Sequence, residues 1–170
     1  EEVINNFKNI LTINYFFQEN RGRSIAIVRS IMKSTGDFII LMDSDDIFHK
    51  DGLKNILNTL AKYETEESIV FGVSIKENDK IIENVPPIIN SKSNLISLRA
   101  DYKVSGDLKE VTKRDLLIKC IHPNYRNFTR VPTSWMWSCV AEETDSLIVN
   151  KSVVIKEYLP GGMTKNIHQL

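Results

Sequence analysis

Apolar positions along this chain change their period several times, and each change marks an element. Val3, Ile4, Phe7 and Ile10 recur at helical spacing, which predicts the end of a helix over 1–11. Residues 13–17 (Ile-Asn-Tyr-Phe-Phe) are aromatic and β-branched and read as a strand. After the polar break at 18–22, Ile25, Val28, Ile31 and Met32 form the apolar face of a second helix, with Ser24 as its cap and Gly36 as its stop. Residues 38–42 (Phe-Ile-Ile-Leu-Met) are an uninterrupted apolar run, the pattern of a central, fully buried strand in a parallel sheet. A third helix, 51–63, places Leu53, Ile56, Leu57 and Leu60 on one stripe.

Beyond Tyr63 the pattern loses this regularity. Residues 68–75 and 80–83 predict a hairpin closed through 77–79, and Pro86-Pro87 opens an irregular stretch up to Gly106. Short helices are expected over 113–120 and 134–143, and short strands over 146–149 and 152–159. Pro160-Gly161-Gly162 then breaks the chain before a polar tail. The βαβα order of the first half implies an α/β fold with a mostly parallel central sheet flanked by helices. At 170 residues without repeats or a linker, one domain is expected over 1–170.

Charge narrows the classes. Lys plus Arg and Asp plus Glu are 22 each, so no basic excess points to nucleic acid. No apolar run reaches the length of a membrane span, and the acidic opening Glu1-Glu2 is unlike a secretory leader. Cys120 and Cys139 show no metal-ligand spacing, which suits structural thiols in a reduced, cytoplasmic setting. His49, His122 and His168 stand alone and read as solvated side chains.

The chemistry concentrates at Asp43-Ser44-Asp45-Asp46, directly after the most apolar run. In open α/β sheets ligands bind outside the carboxyl ends of strands. Carboxylates this close repel unless cations or donors balance them. Hard ions such as Mg²⁺ and Mn²⁺ take oxygen ligands and keep positions open for phosphates. The plainer reading is a solvated turn with one Asp capping the next helix.

The segment Gln18-Glu19-Asn20-Arg21-Gly22-Arg23-Ser24, followed by Gly36-Asp37-Phe38 and the run into Asp43-Ser44-Asp45-Asp46, resembles family 2 glycosyltransferases of the GT-A, Rossmann-like fold. Val131-Pro132-Thr133-Ser134-Trp135-Met136-Trp137 and the stretch 157–166 resemble the acceptor half of such enzymes. The resemblance implies a donor- and metal-binding half over 1–85 and an acceptor half over 86–170. It implies Asp43, Ser44, Asp45 and Arg23 on the nucleotide sugar, Asp45 and Asp46 on Mn²⁺ or Mg²⁺, and Trp135 and Trp137 on the acceptor. The donor would be a UDP-sugar and the acceptor a glycan or lipid-linked hydroxyl. The transfer would be inverting and metal-dependent, in cell-surface polysaccharide synthesis. It would take place in the cytoplasm, or at the inner face of the membrane through the rest of the protein.

Three positions depart from that family pattern. Its opening nucleotide-binding strand and the acidic segment after it have no counterpart here, so the resemblance implies a domain truncated at its N-terminus. Ala26-Ile27-Val28 stands where Ala-Arg-Asn is common, with Arg29 one residue late. Thr133 holds the usual place of the catalytic base, and a threonine hydroxyl has no pKa suited to that work near neutrality. Two alternatives follow. One is a non-catalytic binding fragment. The other is a haloacid-dehalogenase-like phosphatase with Asp43 as nucleophile and Asp45 as acid.

Overall fold

A computed structural model describes residues 2–77, 80–127 and 132–157. Its elements in chain order are α1 (Glu2–Asn5), α2 (Arg23–Lys33), β1 (Phe38–Ile40), β2 (Ile47–Phe48), α3 (Gly52–Lys62), β3 (Ser68–Glu77) and β4 (Lys80–Ile82). There follow β5 (Ser91–Ser93), α4 (Leu95–Ala100), β6 (Leu108–Lys113), α5 (Arg114–Lys119), a 3₁₀ turn (Tyr125–Asn127), α6 (Thr133–Glu143) and β7 (Ser146–Glu157).

One sheet runs in the order β1-β6-β3-β7-β2, with β4 added to β3 and β5 to β7. The sheet is mixed. Among the described residues only the β3–β7 pair is parallel, and every other pairing is antiparallel. The expectation of a mostly parallel sheet is therefore corrected. The βαβα order ends at β3, after which the chain doubles back through β4 and β6 instead of crossing over.

The strand at the centre is β3, whose residues from Ser68 to Ser74 are all buried. On one face Ile69, Phe71 and Val73 pack with Ile56 of α3. On the other, Val70 meets Leu98 of α4, while Ile39 sits with Ile31, Leu117 and Val140 from α2, α5 and α6. The run 38–42 is covered on both faces, as its composition requires, yet β1 lies at an edge and pairs only with β6. Of its three residues Ile39 alone is buried, so the central, fully buried placement is corrected to a covered edge. An apolar run reports covered faces; it says nothing about who pairs along its sides.

Other expectations shift in extent. Residues 13–17 form no strand, and Tyr15, Phe16 and Phe17 are exposed; strand preference needs a partner to act on. The first helix is a single turn. Ser24 lies inside α2, with Gly22 at the cap position, and Gly36 plays no part in ending that helix; Ser34 does, in extended conformation. The stretch before Gly106 contains β5 and α4, and β6 follows it. The two short strands near the end are one strand, β7, with an irregular register opposite Phe71–Val73. The turn at 78–79, Val131 and the tail from 158, with Pro160-Gly161-Gly162 and His168, lie outside the described residues. No described helix is long and apolar enough to cross a membrane.

Candidate functional site

Where β1 ends, the chain crosses from one sheet edge to the other, turning at Asp43–Asp46 before β2 pairs with β7. The Asp46 backbone N–H donates to the Asp43 carbonyl at 3.1 Å, which closes the turn. Strands β6 and β7 flank β3, and each sends a lysine to it. The Lys109 ammonium donates to Asp46 Oδ2 at 2.9 Å and to the Leu41 carbonyl at 3.0 Å. Lys156 donates to Asp107 at 2.9 Å and stands 3.7 Å from Asp43 and 3.8 Å from Asp46. Arg23, the first residue of α2, donates to Asp43 Oδ1 at 2.7 Å. Among the described residues, Arg23, Lys109 and Lys156 thus offset Asp43, Asp46 and Asp107 around the turn.

The balance shows in the titration of its members. Burial acts to raise the Asp43 carboxyl, but the hydrogen bond and charge of Arg23, with Lys156 and Lys109 behind it, hold it below the ordinary value. Burial acts to lower Lys156, and Asp107, Asp46 and Asp43 outweigh it and raise the ammonium. Both groups are therefore charged near neutrality.

Beside this lattice opens a cavity of about 650 Å³, within the usual size for a small-molecule site. Its lining includes Arg23, Asp43, Asp107, Lys109, Glu110 and Lys156, together with Arg99 of α4 and Thr133 and Trp137 of α6. Charged groups and an indole in one lining suit a ligand with an anionic part and a ring. Residues from both the 1–85 and the 86–170 segments form it.

Of the residues singled out in the sequence, Asp43, Arg23, Thr133 and Trp137 meet at this cavity. Ser44 and Asp45 lie on the exposed tip of the turn. Asp46 is behind Lys109, its side chain 2% exposed. Trp135 points elsewhere: half-exposed, it sets its ring edge-on to His122, with centroids 4.7 Å apart. The expected pair of tryptophans is therefore divided between two places, as residues two apart on a helix must be.

The fit to a divalent cation rests on Asp45. Asp46 is engaged by an ammonium, and among the described residues no three acidic, His or Cys side chains converge as ligands. Asp45 has no ion pair among the described residues and is open to solvent. One carboxylate plus substrate phosphates is an ordinary set for Mg²⁺.

Sequence reasoning missed Lys109, Glu110, Asp107, Arg99 and Lys156. The available signal was the charged pair Lys109-Glu110 inside Leu-Lys-Glu-Val-Thr. A strand that buries both faces and still carries two adjacent charges must send one to each side, and each needs a reason. Glu110 is the unusual one. Burial pushes its carboxyl up to about 7, against the pull of its own backbone N–H, Lys109 and Arg99, with Asp107 adding to the rise.

Comparison with known proteins agrees with this architecture. Residues 1–120 match the model of the family described as glycosyl transferase family 2. No curated protein matches the sequence. Among solved structures, residues 1–349 of S. aureus TarS in complex with UDP-GlcNAc superpose with a TM-score of 0.68 at 16% identity, covering 96% of this chain and 47% of that one. The same protein with UDP gives 0.65 at 16%, covering 94% and 47%. Without either molecule named it gives 0.65 at 15%, covering 92% and 47%. The likeness is one of fold, and the chain spans about half the length of these structures.

Proposed function

Since the chain belongs to glycosyl transferase family 2, we propose that it moves a sugar from a nucleotide diphosphate sugar to an acceptor hydroxyl. The observation that carries this reading is the cavity that joins the cationic side of the acidic turn to Thr133 and Trp137. Arg23 and Lys156 would turn towards a diphosphate bound in the cavity, with Lys109 behind them holding the turn in place. Fixed charges in a partly buried site stabilise a leaving anion better than mobile water does. Mn²⁺ or Mg²⁺ bound at Asp45 would add further charge compensation for the diphosphate. Trp137 offers an aromatic face to the sugar or acceptor ring.

The donor we favour is a UDP-sugar, because a protein of similar fold is solved with UDP-GlcNAc and with UDP. The acceptor is a glycan or lipid-linked hydroxyl, and the transfer is inverting, in cell-surface polysaccharide synthesis. The phosphatase alternative is set aside. The family differs, and Asp43, which would be its nucleophile, is held by Arg23.

A second reading, a non-catalytic sugar-binding domain, is favoured by one observation: the cavity presents Thr133 where a carboxylate base is expected. The experiment that separates them is a donor-hydrolysis and transfer assay with UDP- and GDP-sugars and Mn²⁺, on this chain and on any longer chain that contains it. Transfer to an added acceptor supports the enzyme. Donor binding without hydrolysis or transfer supports the binding domain.

A further inference from the structure

Among the described residues, three carboxylates line the 650 Å³ cavity: Asp43, Asp107 and Glu110. A group that takes a proton from an acceptor must be unpaired, close to the substrate, and protonatable near the working pH. Asp43 fails the first condition, being hydrogen-bonded to Arg23 at 2.7 Å. Asp107 fails it as well, through Lys156 at 2.9 Å. Glu110 has no side-chain ion pair among the described residues. It stands on β6 under α4 and α6, lining the cavity with Thr133 and Trp137.

We propose that Glu110 is the general base of the transfer, doing from the β6 wall what Thr133 cannot do from α6. This rests on the transferase reading and names its missing group. In the step, the acceptor O–H bond breaks and its proton passes to a Glu110 carboxylate oxygen. The oxygen's electron pair forms the new bond to the anomeric carbon, and the bond to the diphosphate breaks with its electrons on the leaving phosphate. Every proton and electron pair is placed without a further reactant.

The surroundings fit the task. Lys109, Arg99 and Asp107 are the charged groups nearest Glu110, and Arg23, Asp43 and Lys156 complete the charged lining; α6 contributes Thr133, Ser134, Trp137 and Ser138, none of them charged. The carboxyl is poised at about 7, so at neutral pH much of it is ready to accept a proton and its conjugate acid is weak enough to hold one. A carboxyl kept at that value disfavours folding as it ionises.

The test measures transfer from pH 5 to 9 and UDP-sugar binding, for the full chain and for Glu110→Gln, Glu110→Asp and Thr133→Ala. The expected result for Glu110→Gln is a fall in kcat of about 10²–10⁴-fold. Its donor affinity should be within about twofold of wild type, since the amide keeps the shape of the acid. The wild-type rate should rise with pH through about 7, a limb that Glu110→Gln loses and Glu110→Asp partly restores. Thr133→Ala should keep that limb. A Glu110→Gln chain as active as wild type overturns the assignment alone, as does one that loses donor binding and rate together. A wild-type chain that binds a UDP-sugar but transfers nothing overturns the transferase reading and the assignment with it.

Discussion

Lys109 and Asp46 form a buried ion pair, the ammonium 2.9 Å from the carboxylate oxygen and the two side chains 8% and 2% exposed. The pair fastens the acidic turn to β6, since Lys109 also holds the Leu41 carbonyl just before the turn. It explains why a cluster of three carboxylates does not spring apart: two of them are already matched.

Removing one member should cost more than removing both. Lys109→Met takes the hydrogen-bonded partner from buried Asp46 and leaves Lys156, 3.8 Å away, as its remaining cation, a loss of about 1.5–3 kcal/mol. The double variant Lys109→Met, Asp46→Asn should recover much of it. Urea denaturation of the four chains of this cycle gives the coupling, and full additivity would show that the pair does not hold the turn.

Glu110 gives stability a pH dependence of known sign. Its carboxyl titrates at about 7 in the folded chain against an ordinary 4.5. Between those values the folded state holds the proton that the unfolded state has lost, so this contribution is present below 4.5 and is lost as pH rises through about 7. Glu110→Gln should remove that slope and unfold at higher urea than wild type at pH 8. Chemical denaturation at pH 5 and pH 8 measures both chains.

Arg23 pairs with Asp43 at a half-exposed site, so its replacement should cost little in folding. The expected effect of Arg23→Ala is on ligand affinity: roughly tenfold weaker binding of UDP, the equivalent of about 1.4 kcal/mol for a hydrogen bond to a charged group. Calorimetry with UDP is the measurement, and unchanged affinity would remove Arg23 from the diphosphate site.

Asp45 should carry cation dependence without carrying stability. Asp45→Ala is expected to weaken Mn²⁺ binding in the presence of UDP at least tenfold, because the remaining carboxylates of the turn are paired. Its melting temperature should match wild type, the side chain being exposed. Metal titration with and without UDP decides it.

Gly52 opens α3 so close to β7 that a Cβ there would overlap the Val153 carbonyl. Gly52→Ala should therefore destabilise the domain by about 1–3 kcal/mol, through displaced backbone rather than altered helix propensity. A thermal melt checks this; a stabilised variant would show that the helix start has room.

How much could be read from the sequence depended on whether the signal was local. The helices 51–63, 113–120 and 134–143 and the hairpin around 78 announce themselves by periodicity within a few residues, and they are present with ends shifted by no more than two positions. The acidic turn was legible for the same reason, as were Arg23 and Thr133 through the resemblance. Strand order was not, because the pattern of 38–42 describes what lies above and below it, while its neighbour β6 is some 70 residues away. Lys109, Glu110 and Lys156 escaped notice because a charged residue looks the same in sequence whether it faces water or a cavity. Only the pairing of β6 and β7 with β3 brings the two lysines to the turn and Glu110 to the cavity.

The placement of β7 sets an order on assembly. Its first half pairs with β5 and its second with β2, so the last described strand to leave the ribosome is the one that clamps the far side of the acidic turn. Until it docks beside β3, Asp43–Asp46 is anchored through β1, β6 and Arg23 of α2, and Lys156 is absent from it. Closing so long a loop is slow relative to local helix formation. The charged turn with its full set of partners is thus a late product of folding, and a chain stalled or cut before residue 146 would lack both Lys156 and the strand on which α3 packs.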